Sequence, residues 1–212
     1  MREHEYEPVE GLPEDLPEGE SLLWQGKPTL SALATRVFHV WSVAIYFVAL
    51  ISAHAIYRIM QGVPWSELSG TLAWQSALGC SVVGVLYFLA RAYSRSTLYT
   101  VTDRRVVIRS GVALSLIVNV PLTKVRSAGL KRWRDGTGDI LLTPSEGVAF
   151  SWILLWPNVR PWHYRTVQPL LRGIEAPEHL AEVLRQAARP THVVADESES
   201  RSAVGGTLVG NV

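Results

Sequence analysis

Two histidines, one aromatic loop and one run of small residues are the places where this sequence could do chemistry. His39 and His54 lie in a long uncharged stretch, where an imidazole can ligate a metal, the magnesium of a chlorophyll included. They stand fifteen positions apart, which at 100° per residue is about 60° off a common helical face. Each falls within a few residues of a helix end, where water or headgroups would solvate it. The six histidines (His4, His39, His54, His163, His179, His192) contain no i, i+4 pair of the kind that holds a metal on a helix. There is no P-loop, no dinucleotide glycine fingerprint and no nucleophile elbow, and Gly136-x-Gly138 is turn material. No catalytic residue, cofactor or metal site is assigned, and a non-enzymatic role is expected.

Recognition is better represented than catalysis. The segment Trp156-Pro157-Asn158-Val159-Arg160-Pro161-Trp162 offers Trp and Arg anchors on a loop that its prolines stiffen. Trp156, Arg160 and Trp162 are therefore candidate partner contacts, or the edge of a domain whose rings cover its core. Ala73, Ala77, Cys80, Ser81 and Gly84 form a small-residue stripe at i, i+3/i+4 spacing. Such a stripe lets helix backbones approach closely in lipid. Ala77, Ser81 and Gly84 could serve a helix within the chain or an external one, a second copy of the chain among them. Arg91, Arg95, Arg104 and Arg105, with Arg109 further on, are candidate contacts to an anionic membrane surface, each worth about 1 kcal/mol if it reaches the leaflet.

The elements that must position these groups begin with two apolar runs. Val37 to Tyr57 holds twenty-one residues without a formal charge and Leu72 to Ala90 holds nineteen, lengths that match a hydrocarbon core of about 30 Å. The first span is expected at about 37–57 and the second at about 72–90, within a hairpin over 37–91. Lys27 and Arg36 precede the first run, and Arg91, Arg95, Arg104 and Arg105 follow the second. The loop between offers only Arg58, beside Glu67. By the positive-inside rule both termini are expected in the cytoplasm. Trp41, Tyr57, Trp65 and Tyr93 fall near the span ends, where amphipathic rings prefer to sit.

After Arg95 the period becomes strand-like. Leu98–Thr102 and Arg105–Arg109 read as a hairpin through Asp103-Arg104. Ala113–Val120, Lys124–Leu130, Asp139–Thr143 and Val148–Trp156 read as further strands, the last too short to be a third span. Pro177 opens a helix over 177–188 with Leu180, Val183, Leu184 and Ala187 at i, i+3, i+4, i+7. The expected class is an α+β membrane protein: a two-span helical hairpin, then a β domain over 97–189 closed by a C-terminal helix. Residues 21–36 would join that domain, with Leu22-Leu23-Trp24 as its first apolar anchor and Gln25-Gly26-Lys27-Pro28 as a turn. An acidic Pro-rich tail over 1–20 and a Ser/Gly/Glu-rich tail over 190–212 complete the chain, both expected to be disordered.

Charge is segregated along the sequence. Residues 1–20 carry eight acids and one base, while Ser21 to Arg189 carries eighteen Lys or Arg and eight acids, although the whole chain nets only +1. A basic body calls for an anionic partner, and the apolar runs make lipid or a membrane-embedded protein the expected one rather than nucleic acid. The single Cys80 forms no intramolecular disulfide, which excludes a cysteine-stapled fold and a cysteine zinc cluster. The polar acidic start has no signal-peptide pattern.

Gly19-Glu20-Ser21-Leu22-Leu23-Trp24-Gln25-Gly26-Lys27-Pro28 and Tyr99-Thr100-Val101-Thr102-Asp103-Arg104-Arg105-Val106-Val107-Ile108-Arg109-Ser110-Gly111 resemble the PH-like domains of bacterial membrane proteins, in which a two-span hairpin separates these two motifs. The longer start from Glu5 to Glu20, with Gly136-Thr137-Gly138-Asp139-Ile140 and the Trp156–Trp162 segment, resembles the PuhB family of photosynthetic-complex assembly proteins of purple phototrophic bacteria. The resemblance runs from about Glu5 to Arg189. It implies a PH-like β-barrel and a non-enzymatic assembly factor of the intracytoplasmic (chromatophore) membrane. It also implies reaction-centre and light-harvesting 1 subunits as partners, and it carries over no ligand residues. A pigment carrier using His39 or His54 and a PH-like lipid-sensing protein outside photosynthesis are the alternatives.

Overall fold

Val40–Met60 contains no proline or glycine and a single charge, Arg58, in its last turn, where a cation suits the helix C-terminus. The computed structural model describes residues 16–112, 116–145, 147, 151–161 and 167–188. In it this run is a 21-residue helix, α2. Gly62 ends it at positive φ, its N–H bonding the Ile59 carbonyl at 2.9 Å while the Val63 N–H reaches the Arg58 carbonyl at 3.2 Å. That left-handed glycine cap turns the chain into Pro64, and α3 runs for 32 residues over Trp65–Ser96. Both helices are long and apolar enough to cross a membrane. At 1.5 Å per residue α3 is about 48 Å long, half as long again as a hydrocarbon core needs.

The second helix is therefore longer than the sequence suggests, the first keeps its expected length, and the loop between them is shorter. The first helix starts three residues later than expected, which leaves His39 outside it in the left-handed region at φ 49°. Two further elements precede it, where the sequence reads only as an anchor and a turn. Leu22–Gly26 is strand β1, and Leu30–Arg36 is a two-turn helix, α1.

Beyond α3 the chain forms β2 (Leu98–Thr102), β3 (Arg105–Ser110), β4 (Leu116–Pro121), β5 (Val125–Arg132) and β6 (Thr137–Pro144). The one-turn helix α4 (Trp152–Leu155), β7 (Leu170–Glu175) and α5 (Pro177–Ala187) follow. All strand pairings are antiparallel, in the order β1-β2-β3-β4 in one sheet and β5-β6-β7 in the other. The expected closed barrel is not found among the described residues. Pro121 and a 3-10 turn at Leu122–Lys124 separate β4 from β5, so the strands divide into two sheets. Tyr99 and Val101, Val106 and Ile108, and Ile140 and Leu142 alternate inward along their strands, and α5 covers them with Leu180 and Leu184.

The expected strand at Val148–Trp156 is instead helical over Trp152–Leu155, with residues 148–150 outside the described set. Both edges of β6 are already taken by β5 and β7. A short apolar run without a partner edge can bury a side chain equally well from one helical turn, as Leu155 does. The expected disordered tails lie largely outside the described residues, but Gly19 and Glu20 at the end of the acidic segment are held. The Arg104 guanidinium donates to the Gly19 carbonyl at 2.9 Å, and Arg105 pairs with the buried Glu20 carboxylate at 2.8 Å.

Candidate functional site

The helical hairpin is joined to the sheets through α1, and the site grows from that joint. The Thr29 N–H donates to the Gly173 carbonyl of β7 at 2.9 Å, setting α1 against sheet β5-β6-β7. Its last residue, Arg36, then forks into the β5–β6 turn. One guanidinium nitrogen pairs with Asp135 at 2.9 Å and also donates to the Thr137 hydroxyl, while the other lies 3.4 Å from Asp139. Asp139 also accepts from the Trp133 indole N–H and the Gly173 N–H, both at 2.8 Å. The Thr137 hydroxyl and the nearby Arg36 charge hold the Asp135 carboxyl below its ordinary range.

Beside this joint opens a cleft of about 770 Å³. Arg36, Lys131, Arg160 and Arg172 line it with His39 and Trp133, over a floor that includes Leu130, Leu141 and Leu170. Lys131 lies 4.0 Å and Arg36 4.6 Å from the Trp133 ring, within cation–π reach. Arg172 donates to the carbonyls of Pro157 and Val159, both at 2.8 Å, and burial pulls its guanidinium below the ordinary range. The mouth of the cleft holds His39, one residue before α2, so cations from three separated stretches meet at the end of that helix.

Trp156 belongs to the same end of the molecule. Its ring meets Tyr93 of α3 edge-on at 5.5 Å and Phe38 at 6.2 Å, and those two rings are 5.8 Å apart. It caps the joint between hairpin and sheets while keeping 40% of its surface exposed. Arg160 donates to the Gln168 side chain at 3.0 Å and reaches the cleft, and Trp162 lies outside the described residues. Behind the loop the Tyr99 hydroxyl donates to Asn158 at 2.6 Å and accepts from the Arg172 N–H at 3.2 Å.

His54 is separate from the cleft. Its Nδ1 lies 2.7 Å from Nε2 and 3.0 Å from Oε1 of Gln75, a polar tie between α2 and α3. The two histidines thus share no site. Among the described residues no group of three His, Cys, Asp or Glu side chains is arranged to hold a metal.

The helix seam runs through Gln75, Gly79, Val83 and Leu86, with Gly79 against Phe47. Ala77 and Ser81 are each two positions from Gly79, about 200° around the helix. Ala73, Ala77, Cys80, Ser81 and Gly84 are accordingly all exposed, on the face turned away from α2. The stripe does not serve the intrachain hairpin.

The basic set divides in the same way. Arg91 and Arg95 are exposed on the last turns of α3, whereas Arg104 and Arg105 sit at the opposite end of β2 and engage Gly19 and Glu20. The last two are therefore clamps for the N-terminal segment, because the β2–β3 turn carries them away from α3. Arg109 faces Leu98 in the register and so returns to the α3 end of the sheet. Lys131, Trp133 and Arg172 carried no motif in the sequence, and Asp139 entered only within the Gly136–Ile140 stretch, with no role assigned. Only the excess of cations over acids after Ser21 hinted at Lys131 and Arg172.

The chain matches the profile of the bacterial PH domain family over residues 29–188. It is 35% identical over 199 residues to an "uncharacterized 23.7 kDa protein in puhA 5'region" of Rhodobacter capsulatus, covering 89% of this chain and 90% of that protein. No solved structure matches. The family profile spans α1, the helical hairpin, strands β2 to β7 and α5 together, and the chain belongs to the bacterial PH domain family.

Proposed function

We propose that this chain is a non-enzymatic membrane factor that assists assembly of the photosynthetic reaction centre and its light-harvesting 1 antenna. The observation that carries the photosynthetic part is the similarity to the protein from the puhA 5′ region of a purple bacterium, over nearly the full length of both chains. The membrane part is supported by two helices of spanning length whose apolar side chains, Trp41, Ile45, Val48 and Phe88 among them, are exposed. A soluble helix pair would bury such a surface. In this reading the hairpin crosses the inner or intracytoplasmic membrane with both termini in the cytoplasm. The PH-like sheets then sit at the cytoplasmic face, and the outward stripe of α3 meets helices of a partner.

The test is co-purification of the tagged full-length chain from phototrophically grown cells. Reaction-centre or light-harvesting 1 subunits should be retained, and deletion of the gene should lower the yield of the core complex. Normal core-complex yield after deletion, with no subunit retained, would overturn the assignment. Topology is checked separately: a reporter after Pro64 should read periplasmic and one after Arg189 cytoplasmic.

A further inference from the structure

We propose that the cleft between α1 and sheet β5-β6-β7 binds the phosphate headgroup of an anionic phospholipid from the adjoining leaflet. The assignment rests on the reading that α2 and α3 cross a bilayer. If they do, His39 just before α2 fixes the depth of the cleft mouth, because the spanning helix begins at the next residue. The mouth then lies at the headgroup level, with the exposed rings of Trp41 and Trp156 near the same boundary.

The charge balance selects the ligand. Lys131, Arg160, Arg172 and Arg36 stand on the walls against Asp139, with Asp135 just outside bound to Arg36, which leaves the cleft net positive by two. Asp139 lines the cleft too, but its carboxylate is already taken up by Arg36, Trp133 and Gly173. The Arg172 guanidinium donates to backbone carbonyls, which satisfy its N–H groups without neutralising its charge, and the nearby carboxylate of Asp139 is shared with Arg36. Lys131 is exposed, and its ammonium makes no ion pair among the described residues. A cationic rim that is short of carboxylates favours an anion.

The floor selects the source. Leu130, Leu141 and Leu170 line the interior, and Pro161 stands at the edge. A free inorganic phosphate gains nothing from that apolar surface, whereas the glycerol and first methylenes of a lipid can cover it. A volume of about 770 Å³ falls within the usual range for small-molecule sites, roughly 300–1,000 Å³.

The experiment uses the detergent-solubilised full-length chain and native mass spectrometry, titrating phosphatidylglycerol, phosphatidylcholine and inorganic phosphate in separate arms. Phosphatidylglycerol should bind at least about tenfold more tightly than phosphatidylcholine. The double variant Lys131→Ala/Arg160→Ala should weaken it about thirtyfold, as expected for two headgroup cations. Arg132→Ala/Arg185→Ala removes the same charge outside the cleft, from side chains paired with Glu178 and Glu182, and should leave binding unchanged. Equal affinity for the two lipids, or an unaltered Lys131→Ala/Arg160→Ala variant with an unchanged melting temperature, overturns the proposal. Displacement of the lipid by inorganic phosphate at matched concentration would assign a free-anion site and overturn the lipid source. Resistance of the same protein to carbonate extraction reports separately on membrane insertion, so failure of that reading is seen on its own.

Discussion

Gly173 of β7 and Ala32 of α1 approach so closely that a Cβ added to Gly173 would lie 2.6 Å from that of Ala32. Gly173 also sits at φ +60°, a conformation that L side chains rarely adopt. The contact is where the helical hairpin is coupled to the sheets, because α1 leads directly into α2 and its Arg36 is fixed to the β5–β6 turn.

Gly173→Ala should therefore cost about 2–4 kcal/mol, summing left-handed backbone strain and overpacking. For a chain of this size that is a drop in melting temperature of about 4–16 °C. Adding Ala32→Gly should restore part of the loss, since it relieves the clash and leaves the φ strain. An unchanged melting temperature for Gly173→Ala would mean that α1 does not hold this position in solution.

Tyr99 supplies a pH-dependent prediction. Its hydroxyl is buried between Asn158 and the Arg172 N–H, and burial pushes the phenol well above its ordinary 10.0. The folded state keeps that proton while the unfolded state loses it above pH 10, so the unfolded chain binds fewer protons there and stability falls as pH rises. Below pH 10 the group contributes no slope. Tyr99→Phe should cost about 1–3 kcal/mol at neutral pH by stranding the groups around it. It should also remove up to about 1.4 kcal/mol per pH unit from the alkaline slope. Denaturant unfolding at pH 8, 10 and 11 for both proteins measures the difference, and parallel alkaline slopes would show that another group is responsible.

How much of this was legible in the sequence follows the range of the interactions. The hairpin and the β2–β3 pair were readable because runs without charge and an Asp103-Arg104 turn are local signals. The seven-residue α1 makes no side-chain hydrogen bond at its N-cap, Thr29, and lies below the length at which helical periodicity speaks. In β7, Arg172 and Gly173 interrupt the apolar alternation that would mark a strand, and both are there for tertiary reasons. Trp152–Leu155 reads as strand or helix with equal ease until the occupancy of the sheet edges is known. The candidate site suffered most, since Arg36 and Arg172 are 136 positions apart and nothing local announces that they line one cleft. Trp156 and Arg160 were found by residue type, yet their neighbours on α1, α3 and β5 were not.

His54 and Gln75 should act as a weak structural tie. Interhelical hydrogen bonds in membranes are worth about 0.6 kcal/mol on average and under about 2 at most. His54→Leu and Gln75→Leu should each destabilise the hairpin modestly, and a double-mutant cycle should return a coupling in that range. Core-complex yield should stay at the parental level in the His39→Leu/His54→Leu chain, because the two rings share no site. A strong loss of complex at normal protein level would instead favour a ligand role for one of the imidazoles.

The last prediction separates the two surfaces that could meet a partner. Trp156 is packed on Phe38 and Tyr93, so Trp156→Ala removes a joint within the chain, and its first effect should be lower steady-state protein. Ala77 and Ser81 are on the face turned away from α2, and a Cβ added at neighbouring Gly84 would meet nothing within 4 Å. Larger side chains there leave the hairpin intact. Ala77→Leu/Ser81→Leu should thus keep normal protein level and melting temperature. If a partner helix packs on the stripe, the added methylenes overpack that contact by about 1–3 kcal/mol, a loss of roughly fivefold to more than a hundredfold in affinity. The pair of measurements is protein level and co-purified reaction-centre or light-harvesting 1 subunits, made side by side for both variants. Retained subunits with Ala77→Leu/Ser81→Leu, together with subunit loss in an abundant Trp156→Ala protein, would move the contact from α3 to the aromatic end of the PH-like sheets.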